Sequence, residues 1–235
     1  PYRQPIRCSN AGDYRYEPLT QKFENYVSYG FANPHGHVFD RWGMDIIHDG
    51  TGAQPFHGSL FSSYLEWPQK HGKPPQVYQQ WTRPCSGTEI LSSSHFPPEV
   101  QDRLLVCNVI GFQGILQYRI DADGSSLKGT EVEQLVSSSD PNFRPSDLEI
   151  GADGALYFCD WQNPIIGHMQ HNLRDPSRDK IHGRVYRLRH VERPLLTPQP
   201  VAGEPIPALL DLLKEPDNRV RYRAKIELSA RRSEE

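Results

Sequence analysis

"NFRPSDLEIGADGALYFCDW", residues 142–161, is the stretch on which the reading of this chain turns. Leu148-Glu149-Ile150 has the alternation of a short strand, and "ALYF" (155–158) reads as the strand that returns beside it. Between them "GADG" (151–154) is a tight turn whose last glycine is free to take positive φ. Pro145 fixes the backbone that enters the first strand. A hairpin needs nothing more, yet the stretch also carries an Arg144-Pro145 entry and an Asp160-Trp161 exit.

The same pattern occurs upstream. "NPHGHVFDRWGMDIIHD" (33–49) lies over "RPSDLEIGADGALYFCD" (144–160) without a gap, at an offset of 111. Pro34 falls on Pro145, Gly43 on Gly154 and Asp49 on Asp160, while Phe39, Ile46 and Ile47 fall on Ile150, Tyr157 and Phe158. A middle copy enters at Arg83-Pro84 and places strands at "TEIL" (88–91) and "RLLVCNV" (103–109), with the longer "SSSHFPPEVQD" between them. Third strands are predicted at 114–120 and 183–188, and fourth strands at 132–137 and 75–81. Units that start at 33, 83 and 144, each with up to four strands, point to propeller blades; two packed sheets with unrelated hairpins are the alternative. Residues 12–31 read as the last strands of an earlier blade, so the fold expected is an all-β propeller, partial, with three to four four-stranded blades. On that reading residues 1–188 form the C-terminal part of a larger wheel, and the Pro1-Tyr2-Arg3 start suggests an upstream segment.

From His190 the sequence changes character. Pro194, Pro198, Pro200 and Pro205 make 189–205 a Pro-rich linker. Ile206, Leu209, Leu210 and Leu213 then recur as on an amphipathic helix, "KEPDN" breaks it, and Val220, Ala224 and Leu228 mark a second helix. Residues 206–235 resemble the start of HEAT-like repeats, or else form a helical hairpin folded against the propeller.

Composition removes several functions. The 235 residues carry a net charge of −3, which gives no electrostatic footprint for nucleic acid or an anionic membrane. No apolar run approaches the ~20 residues of a spanning helix, and no signal peptide is visible. Cys8, Cys85, Cys107 and Cys159 form no CxxC pair; Cys107 and Cys159 lie in apolar runs and read as buried thiols, and nothing decides whether Cys8 and Cys85 are bridged. GxSxG, P-loop and GxGxxG signatures are absent.

Chemistry is sought where blade entries converge on a central channel. Those entries bring Asn33-Pro34-His35, Arg83-Pro84 and Arg144-Pro145 together, with Asp147 behind the last. Arg83 and Arg144 suit the carboxylates of a ligand, and His35 or His37 suits a base near neutral pH; alternatively the arginines tie blades together through buried acids such as Glu89 or Asp147. The insertion 160–183 leaves the same end of its blade, with Asp160, Trp161, His168 and His171 at the channel mouth. His168, His171, Asp175, Asp179 and His182 match no strong metal-ligand spacing, and a long ordered polar loop is the plainer reading.

Five stretches, "PHGHVFDRWG", "RPCSGTEILSSSHFPPE", "NVIGFQGILQYRI", "SSSDPNFRPSDLEIGADGALYF" and "DWQNPIIGHMQHNLRDPSRDKIHGRVYRL", closely resemble bacterial "membrane-bound dehydrogenase" proteins. That resemblance implies a large exported or periplasmic chain in which a propeller is followed by HEAT repeats and often a cytochrome c module. The propeller in turn is similar to soluble aldose and sorbosone dehydrogenases, which implies pyrroloquinoline quinone (PQQ) and calcium as cofactors and a sugar or alcohol as substrate. It would give Arg144, with Asp147 in the same Arg-Pro-x-Asp entry, a role at the cofactor, with Arg83 and His35 as analogues by position; the superfamily's catalytic histidine is not matched to a residue here, and His35 stays the catalytic candidate from its place at a blade entry. No CxxCH haem motif is present. The other function kept open is a non-catalytic propeller and HEAT scaffold that binds carbohydrate or protein. As a partial ring the chain by itself is not expected to reduce dye.

Overall fold

The computed structural model describes residues 5–30, 33–50, 54–58, 64–166 and 174–231, and at 83–86 the backbone. Among the described residues thirteen strands make four antiparallel sheets, and two short helices follow. A hairpin of β1 (Asp13–Glu17) and β2 (Lys22–Val27) comes first. Blade I is β3 (Pro34–Phe39), β4 (Asp45–Asp49) and β5 (Gln54–His57). Blade II is β6 (Arg83–Leu91), β7 (Arg103–Ile110), β8 (Gly114–Asp123), β9 (Ser126–Glu131) and β10 (Val136–Ser137). Blade III is β11 (Pro145–Ile150), β12 (Leu156–Asp160) and β13 (Arg184–Leu188), and the helices are α1 (Ile206–Leu212) and α2 (Asn218–Ser229). The fold is all-β and propeller-like, followed by a helical hairpin, and no helix among the described residues is long and apolar enough to cross a membrane.

The blades stack because their strands are apolar on both faces. In β7, Leu104 and Val106 pack toward blade I with Val38, Ile46, Ile90 and Leu116. Leu105 and Cys107 point the other way, onto Leu148, Ile150, Leu156 and Phe158 of blade III. A period of two with apolar residues at both parities is what "RLLVCNV" encodes. Val27 and Tyr29, at the end of the first hairpin, close a third cluster with Ile47 and Phe56. The first strands β3, β6 and β11 stand side by side across the three blades.

The repeat is matched residue by residue. Pro34 pairs with Asp49 and Pro145 with Asp160, each followed by a register shift, and Pro84 pairs with Asn108 at the same place in blade II. In the turns Gly43 donates to Asp40 O at 3.1 Å and Gly154 to Gly151 O at 2.9 Å, with φ of +82° and +81°. A side chain is strained at either glycine. At Gly43 an added Cβ meets nothing within 4 Å, whereas at Gly154 it lies 2.7 Å from Leu196 Cδ1 and 2.8 Å from His95 Cβ. Gly43→Ala is therefore expected to cost about 1–2 kcal/mol and Gly154→Ala about 1–3 kcal/mol more, read from urea unfolding midpoints. Equal costs would mean that the tail is not packed on this turn.

Three sequence expectations shift. The fourth strand of blade II lies earlier than 132–137 and is split, with β9 along the far half of β8 and β10 on its start. Residues 75–81 touch blade I through a single bridge, Phe56 to Gln76, rather than as a full strand. Cys107 is buried, but Cys159 is exposed, because Phe158 and Asp160 take the inward positions on either side of it in β12. Cys8 is a free thiol, and the side chain of Cys85 lies outside the described residues.

Candidate functional site

The strand entries lie together at one end of β3, β6 and β11. Asn33 N donates to Asp49 Oδ1 at 3.1 Å and Gly50 N returns a bond to Asn33 O at 2.7 Å. Blade III repeats this with Arg144 N to Asp160 Oδ1 at 2.8 Å and Trp161 N to Arg144 O at 2.9 Å. In blade II, Asn108 stands where the other blades have aspartate and binds Thr82 Oγ1 at 3.2 Å, Ile110 O at 3.1 Å and Phe112 O. The aspartate that ends each repeated hairpin is thus a clamp. It accepts the amide of the residue before proline, a donor that the bulge would otherwise leave unmet.

Blade III adds charge to its clamp. Arg144 is only 5% exposed, its Nη1 donates to Phe143 O at 3.1 Å, and its Nε makes no hydrogen bond among the described residues. Burial pulls its pKa down, opposed by the charges of Asp140 and Asp160. Arg184 Nη1 lies 3.1 Å from Asp140 Oδ2 and 3.4 Å from Asp160 Oδ2. The Asn142 amide, and next Arg184, hold the Asp140 carboxyl below its usual range. Two arginines and two aspartates balance in a quartet at the strand entry.

Beyond it Trp161, Asn163, Arg178, Asp179, Lys180 and His182 line a cavity of about 510 Å³. Asn163 is buried and anchors the loop through its amide to Asn142 O at 2.9 Å and its side chain to Asp179 O at 3.1 Å. The amides of Ile181 and His182 keep the Asp179 carboxyl low, and His182 Nδ1 lies 3.1 Å from Asp179 Oδ2. Arg178, Lys180 and His182 thus line the same cavity as Trp161, which is 42% exposed.

The sequence-derived candidates do not all meet. Arg144, Asp160 and Trp161 come together as described, whereas Asp147 is exposed on the outer face of blade III, where its Oδ1 takes the Leu148 amide at 3.0 Å. The acids facing Arg144 are Asp140 and Asp160, not Glu89 or Asp147. His35 is exposed, with its ring against Gly50. The side chain of Arg83 and all of His168 and His171 lie outside the described residues.

His37, two positions on, has the more structured setting. Its Nε2 lies 2.8 Å from Asp45 Oδ2, its Nδ1 3.7 Å from Asp13 Oδ2, and its ring stacks on Tyr26. Asp45 is 1% exposed and its Oδ1 makes no hydrogen bond among the described residues. Burial raises the Asp13 carboxyl pKa, which His37 partly offsets.

At the opposite end of these strands stands α2. His37, Phe39, Thr88, Glu89 and Glu149 line a cavity of about 610 Å³ whose floor is Asn218, Arg219 and Tyr222. Arg219 Nη2 reaches Glu89 Oε2 at 2.7 Å and also bonds Glu149, which ties the helix to blades II and III. Asp217 takes Ser94 N at 2.7 Å and Ser94 Oγ at 2.8 Å, and Asn218 N donates to Ser92 Oγ at 3.1 Å. The Pro-rich stretch docks on the same loop. His95 Nε2 accepts the His190 amide at 2.9 Å, so Nδ1 carries the proton and donates to Pro194 O at 2.8 Å. No sequence pattern pointed to this floor, since Arg219 and Glu89 are 130 residues apart.

A family model described as "Domain of unknown function (DUF7133)" matches residues 60–192, all of blade II, all of blade III and the loop between β12 and β13. The chain belongs to this family. The DUF7133 segment therefore contains the Arg144 quartet and the Trp161 cavity, whereas His35, His37 and Arg219 lie outside it. Among solved structures, the chain is similar to a Thermus thermophilus protein described as a "putative oxidoreductase (glucose dehydrogenase)", with 19% identity, a TM-score of 0.44, 69% of this chain covered and 46% of that one. The chain thus spans about half the length of that protein. No curated protein matches the chain.

Proposed function

We propose that the entry end of blade III is the cofactor side of a quinone-dependent dehydrogenase that oxidises a sugar or alcohol hydroxyl. The observation that carries this reading is the group of Trp161, Arg178, Lys180 and His182 around one cavity, beside the Arg144 quartet. A flat indole with cationic donors in the same cavity suits a planar ligand that bears several carboxylates, which is the chemistry of pyrroloquinoline quinone. When bound, such a quinone supplies the two-electron acceptor. Trp161 would stack on it, while Arg178 and Lys180 hold its carboxylates. Arg144, already balanced by Asp140 and Asp160, would keep that end rigid. The hydroxyl proton needs a base. Of the two histidines on β3, His35 stands nearer the entry, and His37 has Asp45 to orient it. We assign no ligand to calcium, because Arg184 already holds Asp140 and Asp160 and no three metal-ligating side chains gather among the described residues.

In this proposal residues 1–188 belong to the propeller, 189–205 to a linker and 206–235 to a HEAT-like unit, in an exported protein whose electrons pass to a cytochrome module outside these residues. A second reading, a scaffold that binds carbohydrate or protein without turnover, draws on the engagement of Arg144 with Asp140 and Asp160.

Titrating the chain with pyrroloquinoline quinone while following Trp fluorescence tests the cofactor side. Binding should be saturable, and Arg178→Ala with Lys180→Ala should weaken it by about tenfold or more. Absence of binding, or binding indifferent to both substitutions, overturns the assignment. Dye reduction over a sugar and alcohol panel by the full-length protein, loaded with quinone and calcium, separates the enzyme from the scaffold.

A further inference from the structure

The loop between β6 and β7 is a socket that braces itself. Gln101 Oε1 accepts the Ser93 amide at 3.0 Å, and Gln101 Nε2 donates to Ser93 O at 2.8 Å and to Phe96 O at 3.0 Å. Ser93 Oγ donates to Gly154 O at 2.7 Å, which fixes the loop to the turn of blade III. His95 sits in this socket 1% exposed, with its ring edge-on to Phe96. None of these bonds involves the tail, yet both ring nitrogens of His95 do: Nδ1 donates to Pro194 O and Nε2 accepts the His190 amide. Only a neutral imidazole has an acceptor nitrogen. A second proton turns Nε2 into a donor aimed at the His190 N–H. Flipping the ring does not help, because both nitrogens are then donors.

We propose that His95 is a pH-sensitive latch: the tail from His190 onward stays docked while this ring is neutral, and a second proton loosens it. Around the latch, Asp217 holds Ser94 N and Oγ, and Arg193 donates to Ser94 O at 3.3 Å. Asp153, in the turn of blade III, is bonded by Tyr157 and lies 3.7 Å from Arg187. Among the described residues none of these carboxylates pairs with the His95 ring, whose partners are the two tail backbone groups. Carboxylates and guanidinium groups ordinarily keep their charge between pH 7.5 and 5.5, which leaves histidine as the group that changes. His190 is the other histidine at the latch, but what it contributes is a backbone amide. An imidazole freed from the tail takes its second proton near pH ~6.5, so at pH 5.5 undocking is favoured about tenfold more than at pH 7.5. Loosening reaches α2, because Asn218 N donates to Ser92 Oγ and Asp217 holds Ser94 on the same short loop. Asn218, Arg219 and Tyr222 would then leave the cavity lined by His37, Glu89 and Glu149, which opens it from the helix side. The inference concerns the tail alone and does not depend on the reaction proposed above.

Hydrogen exchange of the chain, read as protection factors so that the intrinsic pH dependence of exchange is removed, tests the latch. Helices as short as α1 and α2 do not persist in water once undocked, so their amides report the tail. Their protection should fall about tenfold between pH 7.5 and 5.5. His95→Gln offers one acceptor and one donor at every pH, and its tail should show no such fall. His190→Gln keeps the backbone amide and should keep the wild-type response. Nitrogen NMR of the histidine rings gives a reading that needs no variant. At pH 7.5 His95 should be the neutral form with its proton on Nδ1, and tail protection should fall as that ring protonates. A His95 ring that is charged at pH 7.5, or carries its proton on Nε2, overturns the proposal. So does a tail that stays protected while the ring protonates, or one that loosens as steeply in His95→Gln as in wild type.

Discussion

Asp160→Ala is expected to destabilise the folded chain by about 3–5 kcal/mol, a large fraction of the whole stability of a domain. The side chain is 2% exposed and performs two tasks. Its Oδ1 receives the amides of Arg144 and Gln162, both at 2.8 Å, so truncation leaves two donors without a partner at the bulge. Its charge also offsets the buried Arg144 guanidinium and lies 3.4 Å from Arg184. The sister position separates the tasks. Asp49 takes the Asn33 amide at 3.1 Å, with Lys73 at 3.9 Å, but among the described residues no buried arginine stands beside it. Asp49→Ala should therefore cost about 1–3 kcal/mol, the hydrogen-bond part alone. Asp160→Asn, which keeps an acceptor at the clamp and loses the charge, should cost less than Asp160→Ala by the hydrogen-bond part. Guanidinium unfolding curves give all three values. If Asp160→Ala and Asp49→Ala cost the same, the charge of Asp160 contributes nothing and Arg144 is stabilised by other groups.

The strand entries, the turns and the terminal aspartates were legible because they repeat. A gapless match at an offset of 111 placed Gly43 on Gly154 and Asp49 on Asp160, and the backbone at each pair is the same. What the repeat could not say is why aspartate recurs, since its partner is an amide on the preceding strand rather than a neighbour in sequence. Position parity was the second obstacle. Cys159 sits in an apolar run, yet a period of two turns it outward once Phe158 is inward. His35 and His37 share a parity, and it is position along the strand that gives His37 the Asp45 carboxylate, since Asp45 pairs with Phe39 while His35 lies beyond the register shift at the strand entry. The site was readable in part. Arg144 and Trp161 follow from the opening motif, but Asp140 and Arg184 enter the quartet from a turn and from β13, 44 residues apart, with no local pattern to mark them. The helices were visible in their spacing, while their place against the blades depends on Arg219, Asp217 and Asn218 meeting residues of distant blades.

Lowering the pH from 6.5 toward 3 should remove up to about 5 kcal/mol of stability through a single side chain, His48. It lies on β4, 2% exposed, with Nε2 2.9 Å from Tyr78 Oη. Tyr78 in turn stacks on Tyr118 at 3.7 Å, between blades I and II. The Nδ1 atom of His48 has no hydrogen-bond partner among the described residues, so protonation would bury an N–H⁺ without an acceptor. Burial, and to a lesser degree the charge of His37, pushes its pKa down to about 3. Above pH 6.5 both the folded and the unfolded chain hold this histidine neutral and it has no effect. Below that value the unfolded chain takes up a proton that the folded chain refuses, so stability falls with pH until the folded form also protonates near 3. Carboxylates titrate in the same region, which is why the measurement is a difference. His48→Gln keeps a polar group beside Tyr78 and removes the titration, so its stability should decline less steeply than wild type between pH 6.5 and 4. Parallel curves for the two proteins would show that His48 is protonated in the folded state, and that the stacked tyrosines between the blades accommodate its charge.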